Sequence, residues 1–429
     1  MKCKTLVRLA AAATCGMLAV GAGGAYGSNY AQDTVVNATS ERWVPHVADT
    51  PGEPKAVANT IAEAGSQMVV GGRFKTVQNG SRSTQYSRSN VFAFDAATGA
   101  LNEGFAPNVD GVVWSTLSDG TSVWIGGTFR NVNGTARATL AKLDLATGQL
   151  DTAFNARLKG GRVSDLELVD GQLIVAGTIR SRLMSVDPNT GAVTDYIQHT
   201  VEGKLPNSDA AQVFKFDVSD DGQHLAAVGN FTGIDGQARP RMFMLDLAPT
   251  GSTLSSWNYE PNGINCTSPR ANAQAYLQDV DFAPGSSWFA VAAFGFMYQN
   301  GQRGLQLCDS VSRFETDNLD PVSPTWINYS GGDSLKSVAV TGAAVYVQGH
   351  SRWLDNPFGV DFAGPGAVSR LGGGAVDPNT GMALDWNPVM PQQSGGFQIL
   401  PTSEGVWFAT DGTRFGGRYA RGIRFAALP

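Results

Sequence analysis

The residues of this chain with side chains suited to chemistry sit at matching places along it. Asn59, Ser115, Asp165, Lys215, Asp279, Lys336 and Gln398 each fall near the start of a short apolar strand pattern. Asp165 and Asp279, brought across a shared space, would make the carboxyl pair of an acid and base that cleave a glycosidic bond. Lys215 and Lys336, like the other polar residues of this set, would be ligand contacts in the channel. Each of these residues fits equally well as the water-solvated lining of a central channel. A second group is compact in sequence: His350, Arg352, Trp353 and Asp355. An exposed Trp beside Arg is a platform for a sugar or a peptide, while the plainer reading is a loop packed on its neighbour.

No other constellation of reactive residues stands out. The chain has no Gly-x-Gly-x-x-Gly, no Walker loop, no His-Glu-x-x-His and no Gly-x-Ser-x-Gly elbow. His46, His199, His224 and His350 share no spacing. Asp217-x-x-Asp220-Asp221-Gly222 lacks the later acidic ligand of a calcium loop and reads as a strand followed by a tight turn. No metal and no cofactor are expected.

The elements that must position these residues are repeated strands. Units start near Val57, Val112, Val163, Val213, Leu277, Leu335 and Phe397. The unit from Val112 to Phe154 is the clearest. It has a strand to a Ser-Asp-Gly turn, a second strand into Gly126-Gly127-Thr128-Phe129, an Asn133-Gly134 turn, a third strand to Ala146-Thr147-Gly148, and a short tail ending at Phe154. Gly, Asn and Asp mark every boundary, as turns require. The apolar period is two throughout, and the first strands are apolar on both faces, as in Val112-Val113-Trp114. The spacing predicts an all-β, seven-bladed β-propeller with four strands per blade. The last unit has no tail. Trp43–Val47 resembles that missing tail and is expected alongside Gly422–Leu428, closing the ring by an N-terminal strand in the last blade. Gly126, Gly127 and Phe129, the turn acids Asp144, Asp187, Asp246 and Asp377, and the recurring Arg137, Arg239 and Arg421 are expected to be structural.

Composition sets the setting. The chain has 429 residues, 52 Gly and only 16% charged residues, with a formal charge of −6. Lys2, Lys4 and Arg8 precede a small-residue apolar run from Leu9 to Val20 and a Gly/Ala-rich stretch to Gly27, so residues 1–27 read as a signal peptide. Its removal takes away three cations and no acid, which argues against nucleic acid or membrane insertion as the setting. A lipoprotein anchor at Cys15 is the weaker alternative, because Ala13 and Thr14 make a poor lipobox. Residues 28–41 read as a flexible tail and residues 42–429 as the propeller. Cys266 and Cys308 are the cysteines left after the signal segment, and an even pair in an exported chain reads as one disulfide. Closing a loop of that length contributes roughly 4 kcal/mol in the chain-entropy model.

Gly126 to Phe154, and Gly71-Gly72-Arg73-Phe74 with Phe94-Asp95 and Phe105-Ala106-Pro107, resemble the delta-60 repeat of secreted bacterial β-propellers. The resemblance implies a propeller and no particular activity. The Asp-x-x-Thr-Gly turns with Trp386 also resemble the tryptophan-docking repeats of quinoprotein dehydrogenases. Most units depart from that pattern, and the vicinal Cys-Cys is missing. The expected function is a secreted, monomeric binding scaffold that contacts an extracellular protein or glycan through loops on one face. The alternative is a polysaccharide hydrolase or lyase with its site at the channel mouth.

Overall fold

The computed structural model describes residues 30–206, 208–263, 266, 276–285, 287–295, 306–319, 321–391 and 395–429. The expected signal peptide, Cys15 and most of the insertion between Cys266 and Ala275 lie outside the described residues.

The described residues form twelve antiparallel sheets; five are small sheets of two- and three-residue strands, and the larger ones are numbered here in chain order. Sheet 1 is Val57–Ala64, Gln67–Arg73 and Val91–Asp95. Sheet 2 is Val113–Ser118, Ser122–Gly127 and Leu140–Asp144. Sheet 3 is Val163–Val169, Gln172–Gly177, Leu183–Val186 and Val193–Thr194. Sheet 4 is Val213–Val218, His224–Gly229, Met242–Ala248 and Gly251–Leu254. Sheet 5 is Tyr276–Phe282, Trp288–Phe294, Ser310–Glu315 and Trp326–Tyr329. Sheet 6 is Leu335–Val340, Val345–Gly349 and Gly373–Val376. Sheet 7 is Gly396–Thr402, Gly405–Thr410 and Ile423–Ala427.

Four full strands thus form only in sheets 3, 4 and 5. In sheets 1, 2 and 6 the expected fourth strand shrinks to single bridges, Phe94 to Leu101, Leu143 to Leu150 and Val376 to Ala383. Asp95, Asp144, Asp187 and Asp377 each accept from the amide and hydroxyl of the Thr three residues on, which closes a tight turn after the third strand whether a full fourth strand follows, as in sheet 3, or a single bridge. Asp246 does not share this role; its Oδ1 meets His224 Nδ1 at 3.1 Å.

The cores lie between sheets, not within them. One apolar cluster joins sheets 1 and 2 through Val69, Phe105, Val113 and Phe129. Others join each following pair, and a further one joins Ile61, Phe92 and Phe94 of sheet 1 to Trp407, Ile423 and Phe425 of sheet 7. Sheets packed face to face in succession are the architecture of a β-propeller. The Gly-Gly pair permits this approach. A Cβ at Gly126 would stand 2.4 Å from Val163 of sheet 3, and one at Gly127 would stand 2.1 Å from the Val112 carbonyl.

The N-terminal segment departs from expectation. His46–Ala48 pairs with Thr76–Gln78 in the outer hairpin of sheet 1, not with the last strand; Val47 N donates to the carbonyl of Arg421, just before that strand, at 3.3 Å. Residues 37–41, expected as part of a flexible tail, instead run beside that strand: Asn37 N donates to Ala427 O at 2.8 Å and Glu41 N to Phe425 O at 2.9 Å. Earlier still, Gln32 is buried and its Nε2 donates to the carbonyls of Thr402 and Gly405. Trp43 packs its indole against Trp407 and Phe425, so Trp43–Val47 fills the seam between sheets 7 and 1 instead of extending the ladder.

Cys266 and Cys308 form a disulfide with Cα atoms 5.9 Å apart, both buried. This agrees with the sequence.

Candidate functional site

One irregularity recurs in all seven first strands. Each slips register by one residue against its partner, at Asn59, Trp114, Ser164, Phe214, Gln278, Lys336 and Phe397. A bulge of this kind bends the strand and re-aims side chains. The residues immediately after it are Thr60, Ser115, Asp165, Lys215, Asp279, Ser337 and Gln398, all polar. Of the seven residues singled out in sequence, Asn59 and Lys336 therefore occupy the bulge, and Ser115, Asp165, Lys215, Asp279 and Gln398 the position after it.

Thr60, Asp165, Asp279 and Gln398 have a common occupation. The first strand of each sheet is an edge strand, and its outward amides need acceptors. They come from the preceding sheet. Thr60 Oγ1 accepts from Thr116 N at 3.1 Å, Asp165 Oδ2 from Phe216 N at 3.1 Å, Asp279 Oδ2 from Val338 N at 3.0 Å and Gln398 Oε1 from Ile61 N at 2.9 Å. One step further along, Asp217 Oδ2 accepts from Phe282 N at 2.5 Å and Asp281 Oδ2 from Val340 N at 2.6 Å. Each is the same clip, one sheet to the next. The clip from Gln398 joins sheet 7 to sheet 1.

These residues face a cavity of about 500 Å³ at the turn end of the first strands, lined in part by Glu63, Asp119, Glu167 and Leu400. Lys215 Nζ lies 3.0 Å from Asp165 Oδ1, with side chains 16% and 13% exposed. Asp165, Asp279 and Asp217 thus act on one Lys. Burial pushes Asp217 up to about 8 against the pull of the Phe282 amide, and the carboxylates of Asp279 and Asp165 push the same way. Burial pushes Asp279 up to about 7, against the pull of Lys215. Asp281 is raised well above the carboxylate range by burial and then by Asp217. Burial opposes the charge on Lys215, but Asp165 and Asp279 outweigh it and hold the ammonium above its ordinary value.

Stability follows from these directions. A carboxyl whose affinity for protons is raised by folding stabilises the fold below its folded value and loses that contribution as pH rises through it. The window runs from the unfolded carboxylate range near 4 to about 8 for Asp217. The turn acids Asp95, Asp144, Asp187 and Asp377 are lowered mainly by hydrogen bonds from their Thr partners, so they lose stability only in stronger acid. The cavity admits solvent that screens part of the repulsion, so the expected cost of raising pH from 5 to 8.5 is on the order of 1–3 kcal/mol. Melting followed by circular dichroism should show Tm falling over that range. Asp217→Asn keeps an acceptor for Phe282 and should flatten the slope.

The remaining candidates lie elsewhere. Lys336 is at the opposite end of the first strands, lowered by burial and pulled up by Asp411. His350 is exposed at the end of the second strand of sheet 6. Arg352 grips Asp333 with Nη2 at 2.7 Å and Nε at 2.9 Å, reaches Asp361, and stacks 4.4 Å over the Trp353 ring. The structure thus separates the candidates into a channel cluster, Lys336 at the other mouth, and a rim hairpin. Sequence reasoning missed Asp217 and Asp281, and also the bulge aromatics Trp114, Phe214 and Phe397. The signal for the aromatics was present: each stands in register with Asn59 and Lys336, in a strand read only for its apolarity.

Among the described residues, no group of His, Cys, Asp and Glu is arranged to hold a metal, and no helix is long and apolar enough to cross a membrane.

No family model matches the chain, and no curated protein matches it. Solved structures do. A chain of a structure described as the Mitotic Checkpoint Complex is 12% identical, covers 100% of this chain and 99% of its own, and gives a TM-score of 0.53. The Cps50 (Swd1) β-propeller domain of Myceliophteria thermophila is 9% identical over 68% of this chain and 80% of its own, with a TM-score of 0.42. The computationally designed Ika8 protein is 11% identical over 90% of this chain and all of its own, with a TM-score of 0.46. At such identities the likeness concerns the fold alone, and the fold is all-β and of the β-propeller kind.

Proposed function

We propose that the chain is an exported, monomeric seven-bladed propeller of the delta-60 type, its ring closed by residues 37–41 beside the last strand, and that it works as a binding scaffold. It contacts an extracellular protein or glycan through loops on the face where the first strands start. The observation that carries this reading is the outer hairpin of sheet 6. Phe358 and Phe362 are 52% and 55% exposed there. The loop that presents them is rigidly built: buried Asn356 donates to Phe362 O and accepts from Gly364 N, and Arg352 ties Asp361 to Asp333. A braced loop with outward aromatic rings suits recognition better than a disordered tip does. Thr60, Asp165, Asp279 and Gln398 favour the same reading, since their side chains are engaged in clips between sheets.

The raised affinities of Asp217 and Asp279 for protons favour the second reading, a polysaccharide hydrolase or lyase, because a general acid must hold its proton near neutral pH. Incubating the full chain with a glycan array separates the two. Retention without new reducing ends supports the scaffold, and new reducing ends, lost in Asp279→Asn, support the enzyme.

A further inference from the structure

The bulge residues of the first strands gather at the strand-start mouth of the channel. The rings of Trp114 and Phe397 meet there, 6.3 Å apart and edge to face, although sheet 1 stands between their sheets. Only Asn59, the small bulge residue of sheet 1, separates them, so both rings lie on the channel side. Phe214 and Tyr276 make a similar pair 6.3 Å apart. All four rings are partly exposed.

Arg162 lies across this mouth. It follows Gly160 and Gly161, whose φ of 104° and 93° turn the chain inward, and it sits above Ser164, the small bulge residue of sheet 3. Its guanidinium stacks 5.0 Å from the Trp114 ring of sheet 2, and Nη2 donates to Gln212 Oε1 of sheet 4 at 2.6 Å. Nε is buried and has no partner among the described residues. No carboxylate among the described residues pairs with it, in a chain where Asp and Glu outnumber Lys and Arg 37 to 31. Burial alone lowers its proton affinity. A half-buried guanidinium without a counter-charge is costly, and such a cost is kept where a ligand supplies the missing charge.

We propose that this mouth binds a carboxylate-bearing carbohydrate, a uronate unit of an acidic polysaccharide, with the carboxylate on Arg162 and the C–H face of the sugar on the neighbouring aromatic rings. The proposal deepens the scaffold reading and rests on it. Rings for a pyranose face, a planar cation for its carboxylate, and the amide side chain of Gln278 for its hydroxyls make up the site. An acidic peptide is disfavoured by the clips. A peptide adding to the first strands would need their outward amides, and those of Ile61, Thr116, Phe216 and Val338 are already bound. The acidic cluster at the other end of the channel repels the anion from that end and leaves it this mouth.

The test is calorimetric titration of the full chain with tetragalacturonate, a neutral galactose tetramer and hexaglutamate, at low and high salt. The acidic tetramer should bind, salt should weaken it, and the two other probes should bind at least about tenfold more weakly. Arg162→Gln should cost about tenfold or more in affinity, and Arg162→Lys should keep the salt dependence with weaker binding. Without ligand, Arg162→Gln should melt at the same temperature as the parent or higher, because it removes an uncompensated charge; a purely structural Arg would give a lower Tm. Equal binding of the neutral tetramer or of hexaglutamate, unchanged affinity in Arg162→Gln, no binding of the acidic tetramer, or a clear drop in the unliganded Tm would each overturn the proposal. Retention of neutral glycans or a protein elsewhere on this face would then leave the scaffold reading standing, and its absence would remove both.

Discussion

Deleting residues 30–48 should leave a chain that does not fold at 37 °C. Three effects coincide in that segment. Val36, Val44 and Val47 are buried to 3% exposure or less, and Trp43 covers Trp407 and Phe425. Losing four such side chains from apolar contact costs about 5–10 kcal/mol. The last strand, Ile423–Ala427, would also lose the backbone partners at Asn37 and Glu41 and become an open edge. The sum approaches the whole stability of a typical domain, about 5–15 kcal/mol. Two milder variants keep the idea testable. Removing only residues 30–36 should lower Tm modestly, because it takes Gln32 and Val36 but leaves residues 37–48 in place. Trp43→Ala in the full chain should cost about 1–3 kcal/mol, because the partly buried ring loses its contact with Trp407 and Phe425. Equal melting of the parent and the 30–48 deletion would show that the seam between sheets 7 and 1 closes without the N-terminal segment.

How much of this could be read from the residues divides along a physical line. Strands, turns and their repetition were readable because each depends on neighbours in sequence: Asp144 finds Thr147 three residues away, and Gly127 recurs as Gly72, Gly177, Gly229 and Gly349 because a Cβ at each would strike a carbonyl at the start of its own first strand. The disulfide was readable from the cysteine count. The N-terminal path was not. Trp43–Val47 has the pattern of a tail strand, but a tail's partner is chosen by tertiary packing, and the aromatic seam at Trp407 and Phe425 takes Trp43 as a filler. The site was half readable. Asp165, Lys215 and Asp279 were singled out as polar residues in an apolar strand, and the structure brings them to one cavity. Their engagement with the next sheet's amides was hidden, since it depends on a bulge whose offset is set by the partner strand. That offset also concealed Arg162, Trp114 and Phe397, residues of three different sheets that meet only once the strands lie side by side.

Lys215→Met should be the most damaging single substitution in the channel, costing about 3–5 kcal/mol, the range for breaking a buried ion pair from one side. The reason is asymmetric. Removing Lys215 leaves Asp165 facing Asp217 and Asp279 with no cation, and these three carboxyls must then protonate or repel. Asp165→Asn should cost less. Its amide oxygen can still accept from Phe216, the clip to sheet 4 survives, and Lys215 keeps Asp279 as a charge partner. The double variant Lys215→Met with Asp165→Asn should recover part of the loss, because the repulsion falls with one carboxylate gone. The pH response adds a signature that packing alone would not produce. Lys215→Met should be most destabilised above pH 8, where Asp217 and Asp279 are ionised, and should approach the parent near pH 5, where they hold their protons. Chemical denaturation of the three variants at both pH values measures all of these terms. A loss from Lys215→Met that is the same at pH 5 and pH 8.5, with no recovery in the double variant, would mean that the aliphatic stem and not the charge of Lys215 holds the sheets together at this point.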